Sequence, residues 1–338
     1  MAAPESREIE LSGRTVAISN PDKIYFPELG ATKFQLVEYY AAIEEPLLRA
    51  TGLRPALMQR FPEGATGKSW FQKRVPAGAP EWLRTVEVST PNGTTSNALV
   101  IEDLAHVAWA VNLGCIGFHL WPFRVDAEEF ADELRIDLDP SPGLGFDDIR
   151  AAAYLTRDLL DELGITVLPK TSGNRGLHLY ARLERRWDSI EVRAAAVAFA
   201  RELERRHPDT VTAKWWKEER GSRVFIDFNQ NAPHKTVFGA WSARPRTGGQ
   251  VSTPLHWDEL DSVDPDELNL FTVPKRVGER GDPWEAMATE PQSIEPLLEL
   301  SAKDKESGLM DAPWPPQYPK MPDEPSRVAP SRARKEAE

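Results

Sequence analysis

With 338 residues, 41% apolar and 9% aromatic, the chain is long enough for a sizeable core and too apolar for a disordered protein. Its single cysteine, Cys115, excludes an internal disulfide and a cysteine-rich zinc site, so metal ligands would have to be carboxylates and imidazoles, a set suited to magnesium or manganese. The net charge of −12 argues against avid coating of nucleic acid, and no apolar run approaches the roughly 20 residues of a membrane-spanning helix.

The N-terminal stretch MAAPESREIELSGR lacks the apolar core of a secretory leader, so the expected compartment is the cytoplasm. A strand is predicted at Thr15–Ser19, then turn chemistry over Asn20–Gly30. Thr32 caps a helix running to about Arg49, with Leu36, Tyr39, Tyr40 and Ile43 at helical spacing. Strands follow at Ala56–Phe61 and Val86–Ser89, with a turn at Asn92-Gly93. Asp103 caps an amphipathic helix that Gly114 ends. Ile116–Trp121 and Glu133–Asp139 read as strands, Phe146–Leu163 as a long helix closed by Gly164. Strands Thr166–Thr171 and Leu177–Leu183 flank a tight turn, and a helix covers Ile190–Arg206. Val224–Phe228 and Phe238–Ser242 complete the strands. Strict βαβ alternation is missing, so the expected class is α+β, with mixed and antiparallel sheets flanked by helices. Beyond Asp311 the Pro-rich, charged sequence reads as an extended, partly disordered tail over 311–338.

Charge is unevenly spread. Residues 201–246 carry ten Lys/Arg against six Asp/Glu, and 258–267 carry six acids and no Lys/Arg. Such a basic strip predicts modest, salt-sensitive contact with phosphates.

Three segments carry candidate chemistry. In Leu134-Arg-Ile-Asp-Leu-Asp139 the strand period sends Leu134, Ile136 and Leu138 to the core, and Asp137 and Asp139 together to the other face at an open edge. Paired carboxylates so placed suit divalent cations and in-line phosphoryl displacement; an exposed strand face in an acidic protein reads the same way. In Lys170-Thr-Ser-Gly-Asn-Arg-Gly-Leu-His178, Gly173 and Gly176 permit close backbone approach to a ligand. The exposed N–H groups of the turn, the Ser172 hydroxyl and the Arg175 guanidinium suit phosphate oxygens, while His178 shares a face with Tyr180. An ordinary glycine turn fits this segment equally well. In Arg220-Gly-Ser-Arg-Val-Phe-Ile-Asp-Phe-Asn-Gln230, Asp227 faces away from Ile226 and Phe228 and offers a third carboxylate. Taken alone it reads as a surface strand with one acid. In Lys68-Ser-Trp-Phe-Gln-Lys-Arg74, Trp70 and Phe71 suit either base stacking or core packing.

The order Asp-x-Asp, Ser-Gly-x-x-Gly-x-His, lone strand Asp resembles the archaeo-eukaryotic primase superfamily, and most closely the polymerase domain of bacterial end-joining ligase D and its free-standing relatives. The likeness runs from about Ser19 to Phe271 through NPDKIYFPELGATK, VNLGCIGFHLWPFR, IDLDPSPG, KTSGNRGLHLY, RVFIDFNQN and WSARP. It implies a primase-polymerase core over 1–310, with 5′-phosphate and template contacts within 1–130 and the metal and nucleotide core within 131–310. Asp137, Asp139 and Asp227 would bind two divalent cations, Mn or Mg. His119, Ser172, Gly173, Arg175, Gly176, His178, Arg220, Gln230 and Arg244 would surround a nucleoside triphosphate. Asn20, Lys23 and Lys33 match a pocket for a 5′-phosphate across a gap, and Trp70-Phe71 an aromatic pair against the template. Arg175 stands where many relatives carry Lys, and Trp70 where they carry Phe. The implied activity is template-directed nucleotide transfer onto a primer at gaps or ends of DNA, preferring ribonucleotides. The implied partners are Ku and a separate ligase, since no ligase or nuclease module is read in the chain, and no membrane. A two-metal nuclease and a silent end-bridging module are the rival readings.

Overall fold

The structure, a computed structural model, describes residues 5–332. It opens on a hairpin of β1 (Ser6–Leu11) and β2 (Arg14–Ser19), turned at Ser12-Gly13 with φ of 50° and 73°. A small ribbon, β3 (Ile24–Phe26) and β4 (Ala31–Thr32), leads into α1 (Lys33–Ala42), where Thr32 and Gln35 form a capping box. The single helix expected to reach Arg49 is two, because the chain bends at Ile43 and restarts as α2 (Glu44–Thr51). Pro46 is the cause. In one continuous helix it would forfeit the bond to the carbonyl four residues back, whereas in a first turn that N–H has no helical partner anyway.

The first large sheet is built from β5 (Pro55–Arg60), β6 (Trp70–Gln72), β7 (Thr85–Ser89), β8 (Thr95–Val100) and β9 (Cys115–Leu120). Its helix α3 (Leu104–Asn112) is capped by Asp103, whose carboxylate accepts from the Ala105 and His106 amides. The second is built around β10 (Glu133–Pro140), followed by α4 (Phe146–Glu162), β11 (Leu168–Thr171), β12 (Leu177–Arg182), α5 (Ser189–Arg206), β13 (Val211–Thr212) and β14 (Val224–Asp227). Its strand order is β11-β12-β10-β14-β13, antiparallel except for the last pair. β15 (Val237–Phe238) crosses back to pair with β9. The expected α+β class with mixed sheets is the observed one.

Leu134, Ile136 and Leu138 are fully buried on the side where α4 and α5 pack, each burial being worth about 1.5–3 kcal/mol. The alternate residues of β10 face the first sheet: Arg135 donates to the Leu120 and Trp121 carbonyls at the end of β9. There the gap between the sheets is closed by buried ion pairs, Arg54 with Asp132 (2.7 Å) and Glu133 (2.6 Å), and Arg135 with Glu133 (3.0 Å). At the other end of β10 the gap stays open, and the carboxylates lie there.

Several expectations are corrected. The strand expected over Phe238–Ser242 ends at Phe238, because Trp241 takes a left-handed φ of 64° and the segment turns. Apolar burial, not sheet pairing, explains its composition. α6 (Thr272–Arg280) and α7 (Glu295–Glu306) lie in a region where no element was read. The Pro-rich segment after Asp311 is extended but not loose: Ala312, Trp314, Tyr318 and Glu324 are buried. Residues 333–338 of the expected tail lie outside the described residues. No described helix is long and apolar enough to cross a membrane.

Candidate active site

Register builds the carboxylate cluster. Asp137 on β10 is opposed to His178 on β12 and to Asp227 on β14. Residues directly opposed across antiparallel strands share a face, so the three lie in one row, with Asp139 two residues on. Oxygens of Asp137, Asp139 and Asp227 all come within 4.8 Å of one another. The face is less exposed than the strand period alone suggests: Asp139 is exposed, but Asp137 is buried, with Gln230 and His178 against its carboxylate. Gln230 Nε2 bridges Asp137 and Asp227 at 3.0 Å each, and His178 Nε2 lies 3.3 Å from Asp137.

Burial, then repulsion from Asp139 and Asp227, pushes the Asp137 carboxyl well above the usual carboxylate range. Asp139 is also raised, by burial, and Asp227 is pushed up to about 6 by burial and by Asp139. Three crowded acids in a partly dry cleft lack positive charge. That deficit and the all-oxygen donor set fit divalent cations such as Mg or Mn.

A cleft of about 380 Å³ opens over this row. Of the twelve residues expected to serve metal or nucleotide, nine line it: His119, Asp137, Asp139, Ser172, Arg175, Gly176, His178, Gln230 and Arg244. The remaining three, Gly173, Arg220 and Asp227, support it from behind. A Cβ on Gly173, at φ 70°, would lie 2.6 Å from Arg244 Cγ. The Arg220 guanidinium stacks 3.5 Å over Phe225 and is held by the Lys214 and Trp215 carbonyls, with its charge acting on Asp227 and Asp139.

The Ser172 turn differs from the expected set of open N–H groups. Ser172 Oγ accepts from the amides of Gly176 (3.0 Å) and Asn174 (3.2 Å), so those two donors are engaged, while the hydroxyl keeps its proton for a ligand. Arg244 donates to the Ser172 carbonyl (2.6 Å) and stacks 3.5 Å over Phe238. His119 stands edge-on to Phe71 and Phe238, with a buried Nε2 that has no hydrogen-bond partner. Burial and then the Arg244 and Lys170 charges push its imidazole down to about 3, so it is neutral.

Sequence reasoning missed part of the wall. Thr236 and Phe238 line the cleft, Lys235 acts electrostatically on Asp227, and Lys170 is fully buried with Nζ on the Phe238 carbonyl and Ser252 Oγ. For Lys170 a signal existed, since it stands opposite His178 on the neighbouring strand and so on the same face.

The Asn20, Lys23 and Lys33 group lies at the start of α1. Lys33 is buried, its Nζ 2.8 Å from the Ser19 and Asn112 carbonyls and 3.0 Å from Asn112 Oδ1. Burial and Lys23 push its ammonium down to about 8. The first α1 amides are already taken: Lys33 N–H by the Lys23 carbonyl, Phe34 N–H by the Pro21 carbonyl, Gln35 N–H by the Thr32 hydroxyl. Lys23 pairs with Glu63 at 2.6 Å, and Asn20 adopts a left-handed φ of 49°. Trp70 and Phe71 are exposed, 45% and 57%, so core packing is excluded; Phe71 stands beside His119 of the cleft lining, and the Trp70 ring lies 5.0 Å from Arg60.

Fold and site together define a primase-polymerase: residues 32–284 match the family described as "LigD, primase-polymerase domain", and the chain belongs to it. Among curated relatives, "Multifunctional non-homologous end joining DNA repair protein LigD" of Mycobacterium tuberculosis is 33% identical over 279 residues, 80% of this chain and 37% of that protein. "Multifunctional non-homologous end joining protein LigD" of Pseudomonas aeruginosa is 34% identical over 82% of this chain and 34% of its own length. "Bifunctional non-homologous end joining protein LigD" of Bacillus subtilis is 31% identical over 82% and 44%. The chain thus spans less than half of each of these relatives. A solved structure, "Polymerase Domain from Mycobacterium tuberculosis Ligase D in complex with DNA", superposes with a TM-score of 0.76 at 32% identity, covering 82% of this chain and 99% of that one.

Proposed function

We propose that this chain adds nucleotides to a DNA primer strand under template direction, at gaps or ends with a 5′-phosphate, as part of end joining. The observation that carries the reading is the convergence of Asp137, Asp139 and Asp227 at a cleft that is also lined by Arg175, Arg244 and the Ser172 turn. Acids alone would serve a nuclease equally; the cationic wall suits a triphosphate. Asp137, Asp139 and Asp227 would hold two divalent cations, whose chemistry when bound is Lewis-acid stabilisation of the attacking and leaving oxygens. Arg175 and Arg244 bind and orient the triphosphate, and the Ser172 hydroxyl donates to it. Gln230 and His178 fix the carboxylate rotamers. Phe71 and Trp70 stack against template bases. Catalysis is then positioning plus charge, with no side-chain base required.

His119 supports a ribonucleotide preference. Its unpartnered Nε2 within the cleft suits a sugar hydroxyl, and a deoxynucleotide would leave it unpaired. The expected ratio of kcat/KM for ribo- over deoxynucleotides is about tenfold, the worth of one such hydrogen bond. His119→Ala should bring it near unity; a wild-type preference for deoxynucleotides contradicts the assignment. Ku and a separate ligase are the proposed partners in a complete repair reaction.

The direct test incubates labelled primer–template with the protein and Mn or Mg, with and without nucleoside triphosphates. Growth that requires triphosphate supports the reading. Shortening without it supports a nuclease, and neither outcome in either metal would leave an end-bridging role.

A further inference from the structure

The segment Asp311–Arg327 lies wholly beyond residue 284, where the family match ends. It is a strap closed on itself. Arg327 pairs with Glu324 at 2.6 and 2.7 Å, and Glu324 accepts from the Trp314 amide at 2.7 Å. Trp314 and Tyr318 pack with Ala232 and Met321 in a cluster separate from the main core.

Its buried side grips the turn after β14. Arg193 on α5 is 1% exposed, and the strap supplies most of its partners: both Asp311 oxygens (2.9 and 3.1 Å), the Ala312 carbonyl (2.9 Å) and the Trp314 ring (3.9 Å). The remaining direction of the guanidinium, Nε, donates to Asn229 Oδ1 at 2.8 Å. Asn229 in turn donates its side-chain amide to the Pro313 carbonyl (3.0 Å) and its backbone amide to Asp227 Oδ1 (3.0 Å). The next residue is Gln230, the bridge between Asp137 and Asp227. Further along the same loop, the Tyr318 hydroxyl donates to the Pro233 carbonyl, two residues before Lys235.

We propose that this strap is a positioning element of the active site: through Arg193 and Asn229 it sets the turn that presents Asp227, and through Tyr318 it holds the far side of the same loop. A buried guanidinium cannot keep its geometry without its acceptors, because its desolvation is compensated only by the pairing. Losing Asp311 would make Arg193 reorient towards water and release Asn229. Groups one step behind a metal ligand typically change metal affinity or activity by about 10–100-fold when removed. The triphosphate contacts of Arg175, Ser172 and Arg244 lie on other elements, so nucleotide KM should stay put.

The inference rests on the three carboxylates binding cations, and the test separates the two. In the full chain, Asp311→Asn and Tyr318→Phe are compared with wild type and with Asp103→Ala, a helix-cap variant remote from the cleft that controls for lost stability. Manganese binding is read by loss of the free-ion paramagnetic resonance signal, amide exchange over 224–238 by mass spectrometry, and kcat and KM by primer extension. Asp311→Asn should weaken manganese binding and lower kcat about tenfold, leave nucleotide KM within about twofold, and speed exchange at 228–234. Tyr318→Phe should act in the same direction, more weakly, and keep the fold if Asp311→Asn does not. Asp103→Ala should lower the melting temperature alone. Exchange over 228–234 and manganese affinity that match wild type in both strap variants would overturn the proposal. Failure of wild type to extend primers would refute the polymerase reading, while exchange would still decide the role of the strap.

Discussion

Asp137 and Asp227 oppose each other across β10 and β14 with Asp139 beside them; all three carboxyls are raised by burial, and those of Asp137 and Asp227 further by repulsion from their acidic neighbours. Without metal this arrangement costs stability. Asp227→Asn keeps the acceptor for the Asn229 amide and removes one of the like charges. In chelator it should melt at or above the wild-type temperature, and with metal it should lose extension by about 100-fold or more, beyond what a supporting residue loses. Calorimetry and an extension assay check both halves. His119 gives a pH prediction. Its folded value of about 3 lies below the usual 6.5, so the unfolded chain binds the extra proton between those values. The stability tied to its neutral ring is complete above pH 6.5 and is lost as pH falls towards 3. Its ring shifts in NMR should stay those of a neutral imidazole from pH 8 to pH 5, and His119→Asn should flatten the acid limb of stability. A titration midpoint near 6.5 contradicts the burial account. That Asp137 and Asp139 share a face was legible, because strand period decides it. That Asp137 is buried was not, because the side chains against it, Gln230 and His178, come from segments remote in sequence.

At the level of elements, the two lysines at the start of α1 separate. Lys33→Ala takes the ammonium donor away from the Ser19 and Asn112 carbonyls in a buried space, a loss of about 2–4 kcal/mol. Lys23, on a surface pair with Glu63, should cost about 0.5 kcal/mol or less. Chemical denaturation distinguishes them, and equal effects contradict the burial argument. Any test of a 5′-phosphate contact is therefore cleaner on Lys23→Ala, whose fold is kept: wild type should bind a phosphorylated gap more tightly than an unphosphorylated one, and the variant should lose that difference. Elements marked by caps and glycine stops, such as α3, α4 and α5, were legible because those signals are local. β1 was not, since only Ile9 and Leu11 of its six side chains reach the core, an alternation too short to mark a strand. The break before α2 was legible in principle from Pro46, but the apolar spacing through Ile43 masks it.

On the scale of the whole molecule, the basic strip shrinks once pairing is counted. Of its ten cations, Arg201, Arg205, Arg206, Arg223 and Arg246 have carboxylate partners. Lys214, Lys217, Arg220, Lys235 and Arg244 have none among the described residues; Arg244 lines the cleft, and the charge of Arg220 acts on Asp227 and Asp139. With net charge −12, binding to duplex DNA should be weak, and its dependence on salt should have a log–log slope of about −3 to −5, the mark of few phosphate contacts. A slope near −10 in a titration of affinity against salt would mean a footprint this surface does not have. Composition showed the strip, but only the tertiary structure shows which cations are spent. The same limit applies to the strap, which reads as a loose tail because proline and charge are read locally, while Trp314 and Tyr318 find their cluster only in the fold. The measurement that bears most directly on the central claim is primer extension with one triphosphate supplied at a time, on templates differing only in the next base, for wild type and Asp137→Asn. The account predicts that wild type adds the complementary nucleotide in preference to the other three, and that Asp137→Asn adds none at a comparable rate. Addition indifferent to the template base, or an Asp137→Asn rate equal to wild type, would contradict it.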